Sequence, residues 1–117
     1  MPVRSLTSPV LRWPDHRAVH DAVQRWARDM AAAHPELQRV GYFGSYARGD
    51  WGVGSDVDLI LIVTDADQVV ARRAAAWDTT RLPVPADVLV YTGAEWERVS
   101  RTRPFGYRIA REVRWVK

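Results

Sequence analysis

The sequence predicts an α/β fold in which helices pack against one small β-sheet. Apolar residues recur every three or four positions between Asp15 and Ala33, which is typical of a helix with one buried face. Three later apolar runs are short and bounded by glycine, proline or aspartate, which is typical of buried strands. Helical and strand-like segments alternate along the chain, and this alternation favours an α/β architecture.

The first helix is predicted from its two ends and its apolar face. Asp15 can cap its first turn. The helix should end near Ala33, because His34 precedes Pro35 and a residue before proline avoids helical geometry. Its apolar stripe, which we assign to core packing, consists of Val19, Ala22, Val23, Trp26, Met30 and Ala33.

The remaining elements are shorter. Strands are predicted at residues 37–43, 56–63, 86–91 and 113–116. Helices are predicted at residues 45–48, 69–77 and 92–103, and the second of them is expected to begin near Ala66. Pro104 and Gly106 should interrupt the last helix and leave at most one further turn at residues 107–111. Residues 1–14 are proline-rich and are predicted to be an irregular arm.

The composition excludes several classes of function. The chain has 117 residues, a net charge of +3 and no cysteine. We therefore expect one domain over residues 1–117, without disulfides, thiolate metal sites or cysteine nucleophiles. Lys117 is the only lysine, which argues against Schiff-base chemistry. No membrane-spanning run or secretory signal is apparent, so we expect a cytoplasmic location, and the scattered arginines do not indicate nucleic-acid binding.

Two short motifs indicate a site for phosphate and metal. Gly44-Ser45 lies at a predicted strand-to-helix turn, where free backbone N–H groups and a hydroxyl can hold a phosphate. Asp56 and Asp58 are two residues apart at the start of the next strand, so their side chains point to the same face. A divalent cation prefers carboxylate oxygens gathered in this way. Together the motifs suggest chemistry on a nucleoside triphosphate.

Asp87 adds a third carboxylate at the start of a later strand. An unpaired charge beside a buried strand is costly, and a metal ion offsets that cost. Three carboxylates around two cations roughly 3.5–4 Å apart are typical of in-line nucleotidyl transfer. Asp87 could then ligate one metal and accept the proton of the attacking hydroxyl. The alternative is that Asp87 caps a turn after Pro85.

These residues carry a family resemblance. Gly-Ser, ten residues, Asp-x-Asp and a later aspartate at the head of a strand resemble the signature of the DNA polymerase β-like nucleotidyltransferase superfamily. The segment GSYARGDWGVGSDVDLILIV is similar to its minimal nucleotidyltransferase (MNT) branch. The resemblance implies the polymerase-β-like fold, a small mixed β-sheet with helices packed on it, in one minimal domain.

The resemblance also implies a role for each motif residue. Gly44 and Ser45 would hold the β- and γ-phosphates of ATP. Asp56 and Asp58 would ligate both of two Mg²⁺ ions, and Asp87 would ligate the catalytic one.

Two residues near the motif have two interpretations each. Arg48 would steady the triphosphate, and its alternative is an ordinary surface arginine. Trp51 could stack on a base, and its alternative is packing within the loop.

The resemblance implies an antitoxin that transfers AMP from ATP to a tyrosine of a partner HEPN-domain toxin. A chain of this length leaves no room for a second domain that would bind an acceptor, which favours a macromolecular acceptor over a small one. One alternative is a binding module that neutralises the HEPN partner by occlusion. Another is a stand-alone transferase acting on a small hydroxyl compound, with a homodimer completing the site. The chain could therefore form a hetero-oligomer with the toxin or a homo-oligomer with a second copy of itself.

Two further patterns have alternative interpretations. His16 and His20 have the spacing of a two-histidine metal pair, but no third ligand is evident and we assign them to the face of the first helix. The C-terminal region alternates arginines with aromatic residues, which suits either a protein interface or a final helix and strand that pack their aromatic side chains inward. The residues are Arg98, Arg101, Arg103, Arg108, Arg111 and Arg114 with Trp96, Phe105, Tyr107 and Trp115.

Overall fold

The computed structural model describes residues 13–117, so nearly all of the predicted arm at residues 1–14 lies outside the described residues. The described part forms a four-stranded sheet and five α-helices. The helices are α1 His16–Ala33, α2 Ser45–Arg48, α3 Val70–Arg73, α4 Gly93–Thr102 and α5 Pro104–Glu112. The strands are β1 Leu37–Phe43, β2 Val57–Val63, β3 Ala86–Thr92 and β4 Arg114–Trp115, and a 3₁₀ turn, Ala74–Ala76, follows α3.

The sheet is mixed, as predicted. Its strand order is β3-β2-β1-β4. β2 pairs parallel with β3 and antiparallel with β1, and β4 pairs antiparallel with β1. The parallel connection between β2 and β3 runs through α3 and the 3₁₀ turn.

The sheet is buried on both faces. Six of the seven residues of β2 are buried, which agrees with its nearly continuous apolar sequence. Leu59 and Leu61 belong to the larger core, which also contains the buried face of α1. Ile60 points to the opposite face, as side chains alternate along a strand, and packs there with Trp96 of α4 and Ile109 of α5. Helices therefore cover both sides of the sheet and bring α5 onto the face that also carries the Asp58 side chain.

α1 begins where the sequence predicts, because the Asp15 carboxylate accepts a first-turn backbone N–H at 2.9 Å. Its buried residues are Val19, Ala22, Val23, Trp26 and Ala27. The Trp26 indole N–H donates to the carbonyl of Asp78 at 2.8 Å, which confirms a core role for this side chain. The predicted stripe fails only at its end, where Met30 is half-buried and Ala33 is exposed.

His16 and His20 bind a tyrosine hydroxyl. The hydroxyl of the fully buried Tyr42 lies 2.8 Å from His20 Nδ1 and 3.0 Å from His16 Nε2. A hydroxyl has one hydrogen, so it donates to one ring and accepts from the other. Burial and the nearby Arg114 charge lower the pKa of His16. The two histidines therefore tie α1 to β1, in agreement with their assignment to the helix face.

One predicted helix and one predicted strand are shorter in the structure. The predicted helix at residues 69–77 is wrong in length: α3 covers Val70–Arg73, and the chain then tightens into the 3₁₀ turn before Trp77. Trp77 adopts an extended backbone and buries its side chain in the larger core, so packing ends the helix early. β4 has two residues where four were predicted.

The prediction of a single turn after Pro104 was also wrong, because α5 runs for nine residues. Pro104 is at the first helical position, where its missing N–H is not needed. Gly106 is buried inside α5 because the helix approaches Val99 of α4 closely there. Proline and glycine usually interrupt a helix, so the local sequence predicts a break at both positions. In the structure both residues fit within α5, Pro104 at its first position and Gly106 against Val99. Within the described part of the chain, no helix is both long and apolar enough to cross a membrane.

We expect Gly106→Ala to lower the free energy of unfolding by about 1–3 kcal/mol, the usual cost of overpacking. A Cβ atom at Gly106 would lie 2.2 Å from the carbonyl oxygen of Val99, a backbone atom that cannot rotate away. Urea unfolding measures the change. Gly93→Ala is the matched control, since a Cβ there would meet its nearest neighbour, Gln38 Oε1, at 3.7 Å. Equal stability of the two variants would contradict the close packing of α4 on α5.

Candidate active site

A row of side chains crosses one face of the sheet at the N-terminal end of β2. Asp58 on β2 is directly opposite Phe43 on β1 and Asp87 on β3. Paired residues on neighbouring strands point to the same face, and neighbouring strands are roughly 4.8 Å apart. Strand register therefore brings together two of the three predicted carboxylates, which are far apart in sequence.

Gly44 is the residue that lets β1 turn into α2 beside Asp58. Its φ of +77° lies in the region that favours glycine. A Cβ atom at this position would lie 2.2 Å from Asp58 Oδ2, so any side chain here would occupy the space next to the carboxylate. Both the backbone conformation and the lack of space beside Asp58 therefore require glycine at position 44 of the Gly-Ser motif.

The loop between the two motifs is held by specific contacts. The Trp51 ring stacks on Tyr46, with 5.6 Å between ring centroids and 8° between planes. The indole of Trp13 donates to the Ser55 carbonyl at 3.2 Å, and the Gly52 N–H donates to the Ser55 hydroxyl at 2.8 Å. These contacts confirm the packing alternative for Trp51.

A cavity of about 520 Å³ opens over the row. Its lining residues are Phe43, Gly44, Arg48, Asp58, Asp87, Val88, Leu89, Phe105, Arg108 and Glu112. Four of the six predicted site residues are in this set. The other two, Ser45 and Asp56, are not: Ser45 starts α2, and Asp56 is exposed just before β2.

Negative charge is concentrated in the cavity. Burial raises the pKa of the Asp58 carboxyl, and the charges of Asp87 and Asp56 raise it further. The Arg48 guanidinium acts in the opposite direction. Asp58 is half-buried, while Asp56 and Asp87 are exposed. A bound cation would relieve this repulsion, because it interacts favourably with each carboxylate.

The carboxylates suit a divalent cation, although they are not gathered into a tight cluster. Across residues 13–117, no three histidine, cysteine, aspartate or glutamate side chains lie close enough to hold one ion as they stand. Asp58 and Asp87 nevertheless supply hard oxygen ligands from paired positions. The absent Cβ of Gly44 also leaves the Asp58 oxygen accessible. The donor set therefore fits Mg²⁺, with Asp58 at its centre.

Glu112 is a cavity residue that the sequence did not predict. It is the last residue of α5, and its carboxylate accepts a hydrogen bond from the Gly44 N–H. Arg48 Nη1 also donates to it, at 3.2 Å from Oε2. The signal that could have identified it is the predicted terminal strand: antiparallel pairing of β4 with Gly41 on β1 brings the end of α5 to Gly44.

The C-terminal aromatic residues divide between core and surface. Trp96 and Trp115 pack edge to face in the smaller core, which agrees with inward packing. Phe105 and Tyr107 on α5 are 46% and 56% exposed, which is unusual for large apolar side chains. Phe105 also lines the cavity. Neither of the two predicted alternatives therefore holds for the whole region.

The sequence matches a known family and one curated relative. Residues 24–110 match the family model described as the nucleotidyltransferase domain. A protein of Methanocaldococcus jannaschii, to which protein adenylyltransferase activity has been assigned by inference, is 34% identical over 55 residues. The alignment covers 47% of this chain and 56% of that protein, so the chain spans little more than half the length of this relative.

Two solved structures share the fold. One is a nucleotidyltransferase from Sulfolobus solfataricus, also assigned by inference, with a TM-score of 0.58 and 24% identity, covering 71% of this chain and 75% of that one. The other is described as a toxin–antitoxin with AMP-PNP, with a TM-score of 0.52 and 17% identity, covering 80% of this chain and 72% of that one. At these identities the likeness establishes the fold alone.

The family match coincides with the cavity. The matched residues 24–110 contain β1, β2 and β3 and all six predicted site positions. They also make up most of the 117-residue chain. The chain therefore belongs to the nucleotidyltransferase domain family, whose members are transferases.

Proposed function

We propose that this protein transfers AMP from ATP to a hydroxyl group of a partner protein in a Mg²⁺-dependent reaction. The observation that carries the proposal is the pairing of Asp58 with Asp87 on parallel strands, directly beside the turn at Gly44. Carboxylates next to the backbone N–H groups of such a turn can hold both the metal and the phosphates of a nucleotide. The cavity is open to solvent beside exposed Asp87, where a macromolecular acceptor can reach it.

In this proposal the site residues divide the binding of the phosphates and the metal ions among them. Gly44 and Ser45 bind the β- and γ-phosphates, and Arg48 balances their charge. Asp56 and Asp58 would hold two Mg²⁺ ions and Asp87 one of them. When bound, the ions neutralise the triphosphate and lower the pKa of the attacking hydroxyl.

We assign proton acceptance to Asp87. Asp87 is exposed on edge strand β3, whereas Asp58 is half-buried on the neighbouring inner strand β2. Asp87 takes the proton of the acceptor hydroxyl, and the oxygen then attacks the α-phosphorus of ATP. An oxygen–phosphorus bond forms, the bond to the leaving pyrophosphate breaks, and AMP remains on the acceptor.

We infer that the acceptor is a tyrosine of a HEPN-domain toxin. Support comes from the adenylyltransferase activity assigned to the curated relative and from the toxin–antitoxin structure that shares the fold. Phe105 lines the cavity, and Tyr107 is exposed on the same helix, α5. Exposed aromatic residues are favoured contacts in protein interfaces. The Arg108 and Arg111 guanidinium groups each lie 5.8 Å from one of these rings.

Intact-mass measurement of the co-expressed toxin tests this function. With the wild-type chain we expect the toxin mass to increase by one or more adenylyl groups. With Asp58→Asn the toxin should keep its unmodified mass. An unmodified toxin in both cultures, with the chain present in soluble form, would contradict the proposal.

The second candidate function is neutralisation of the toxin by occlusion, which the exposed aromatic residues of α5 favour. A chain carrying both Asp56→Asn and Asp58→Asn separates the two functions. If AMP transfer is the protective activity, cells that express this chain with the toxin should stop growing. Growth equal to that with the wild-type chain would support occlusion.

A further inference from the structure

The carboxylate of Glu112 lies where the proposed function requires a phosphate. It accepts the Gly44 N–H and is 3.2 Å from Arg48 Nη1 through Oε2 and 3.4 Å through Oε1. These are two of the donors that we assign to the triphosphate. The Glu112 side chain is only 16% exposed, so the contact is held within the cavity.

Local helix energetics do not explain the position of Glu112. It is the last residue of α5, where the helix dipole disfavours a negative side chain. It also adds to the negative charge around Asp58. Both effects oppose a carboxylate here, and the donors Gly44 and Arg48 compensate for them.

We propose that Glu112 is an internal competitor that occupies the triphosphate donors in the free protein and is displaced when a nucleotide binds. This inference rests on the proposed function, since it assigns the displaced donors to ATP. Both anions need the same Gly44 N–H and the same Arg48 guanidinium, so they cannot bind together in the same way. ATP with Mg²⁺ replaces the single carboxylate with a polyphosphate that makes more contacts.

The geometry shows how Arg48 stays in place during the exchange. Its Nε donates to Asp50 Oδ2 at 3.1 Å, independently of Nη1. Release of Glu112 therefore leaves one ion pair that holds the guanidinium near the cavity. Val113 joins Glu112 to β4, and the Val113 N–H donates to the Ile109 carbonyl at 2.8 Å. Because these contacts fix the backbone of Glu112, the displacement is a movement of its side chain.

Calorimetric titration with ATP and Mg²⁺ tests the competition. We expect Glu112→Gln to bind ATP about tenfold more tightly than the wild type, which is the size of one charge-assisted contact. Glu112→Asp should also bind more tightly, because its side chain is one methylene shorter and does not reach both donors. Glu97→Gln is the control: it makes the same change of charge at an exposed glutamate paired with Arg101 outside the cavity lining.

The four proteins separate the possible results. Tighter binding by both Glu112 variants, with Glu97→Gln equal to the wild type, supports displacement. Tighter binding by Glu112→Gln alone contradicts displacement, because it indicates a general effect of negative charge. Equal affinity of all four contradicts the inference and leaves the proposed function intact. If none of the four binds ATP, the proposed function and the inference both fail.

Discussion

Asp58→Asn is expected to reduce AMP transfer by at least about 10²–10³-fold, the range seen when one preorganised electrostatic group is removed from an active site. Asp58 is the central carboxylate of the row, directly opposite Asp87 and beside Gly44. Asparagine keeps the size of the side chain and removes the charge. The initial rate of AMP incorporation into the proposed toxin partner measures the loss.

The same substitution should not destabilise the protein. In the absence of a metal, the Asp58 charge is disfavoured by burial and by its aspartate neighbours, so removing it relieves repulsion. We therefore expect an unfolding midpoint in urea at or above that of the wild type, as is common for active-site charges. Asp29→Asn, at an exposed position of α1, is the control and should retain activity. Undiminished transfer by Asp58→Asn would remove this residue from the mechanism.

Arg73→Met is expected to lower the free energy of unfolding by about 3–5 kcal/mol, the usual cost of breaking a buried ion pair. Arg73 is 8% exposed. Its Nη1 and Nη2 bind the two oxygens of Glu95 at 2.6 and 3.1 Å, and it also donates to the carbonyls of Gln68 and Val90. Methionine would remove the guanidinium donors from all of these acceptors, and only the Thr92 N–H would still bind the Glu95 carboxylate. Urea unfolding at neutral pH measures the change, and Arg72→Met at the exposed neighbouring position is the control.

Acid should remove much of the stability that this pair provides. The hydrogen bond from Arg73 lowers the pKa of Glu95 from 4.5 to about 2. A carboxyl with a depressed folded-state pKa stabilises the protein above its unfolded pKa, and this contribution is lost as the pH falls from about 4.5 towards 2. The shift corresponds to roughly 3 kcal/mol.

Unfolding measured across that pH range checks the size of the contribution. The wild type should lose more stability than Glu95→Gln as the pH falls, since the variant has no carboxyl to protonate at this position. Parallel pH profiles for the two proteins would show that the ion pair contributes little.

The sequence was informative wherever structure depends on neighbouring residues. β1 and α2 have the predicted bounds, because a buried apolar run and the Gly44 turn define them locally. α4 begins at the predicted place, where Thr92 and Glu95 form a reciprocal capping box. The Asp-x-Asp spacing identified Asp58, which the structure places in the cavity.

The sequence was least informative where contacts join distant residues. Glu112 and Gly44 are 68 positions apart, and only the pairing of β4 with β1 brings them together. The length of α5 depends on the fit of Gly106 against Val99, which no local pattern reveals. Asp56 was predicted to share a face with Asp58 because side chains alternate along a strand. It precedes β2 and is exposed, so this rule does not bring it into the cavity lining.

We expect this cavity to catalyse transfer of the α-phosphoryl group of ATP together with its nucleoside. ATP labelled at either the α- or the γ-phosphate tests this transfer when it is incubated with the purified chain, Mg²⁺ and the proposed HEPN-domain toxin. We expect the α-label on the toxin and the γ-label in released pyrophosphate. Transfer of the γ-label to the toxin, or release of free phosphate with no labelled toxin, would contradict nucleotidyl transfer at the site formed by Gly44, Asp58 and Asp87.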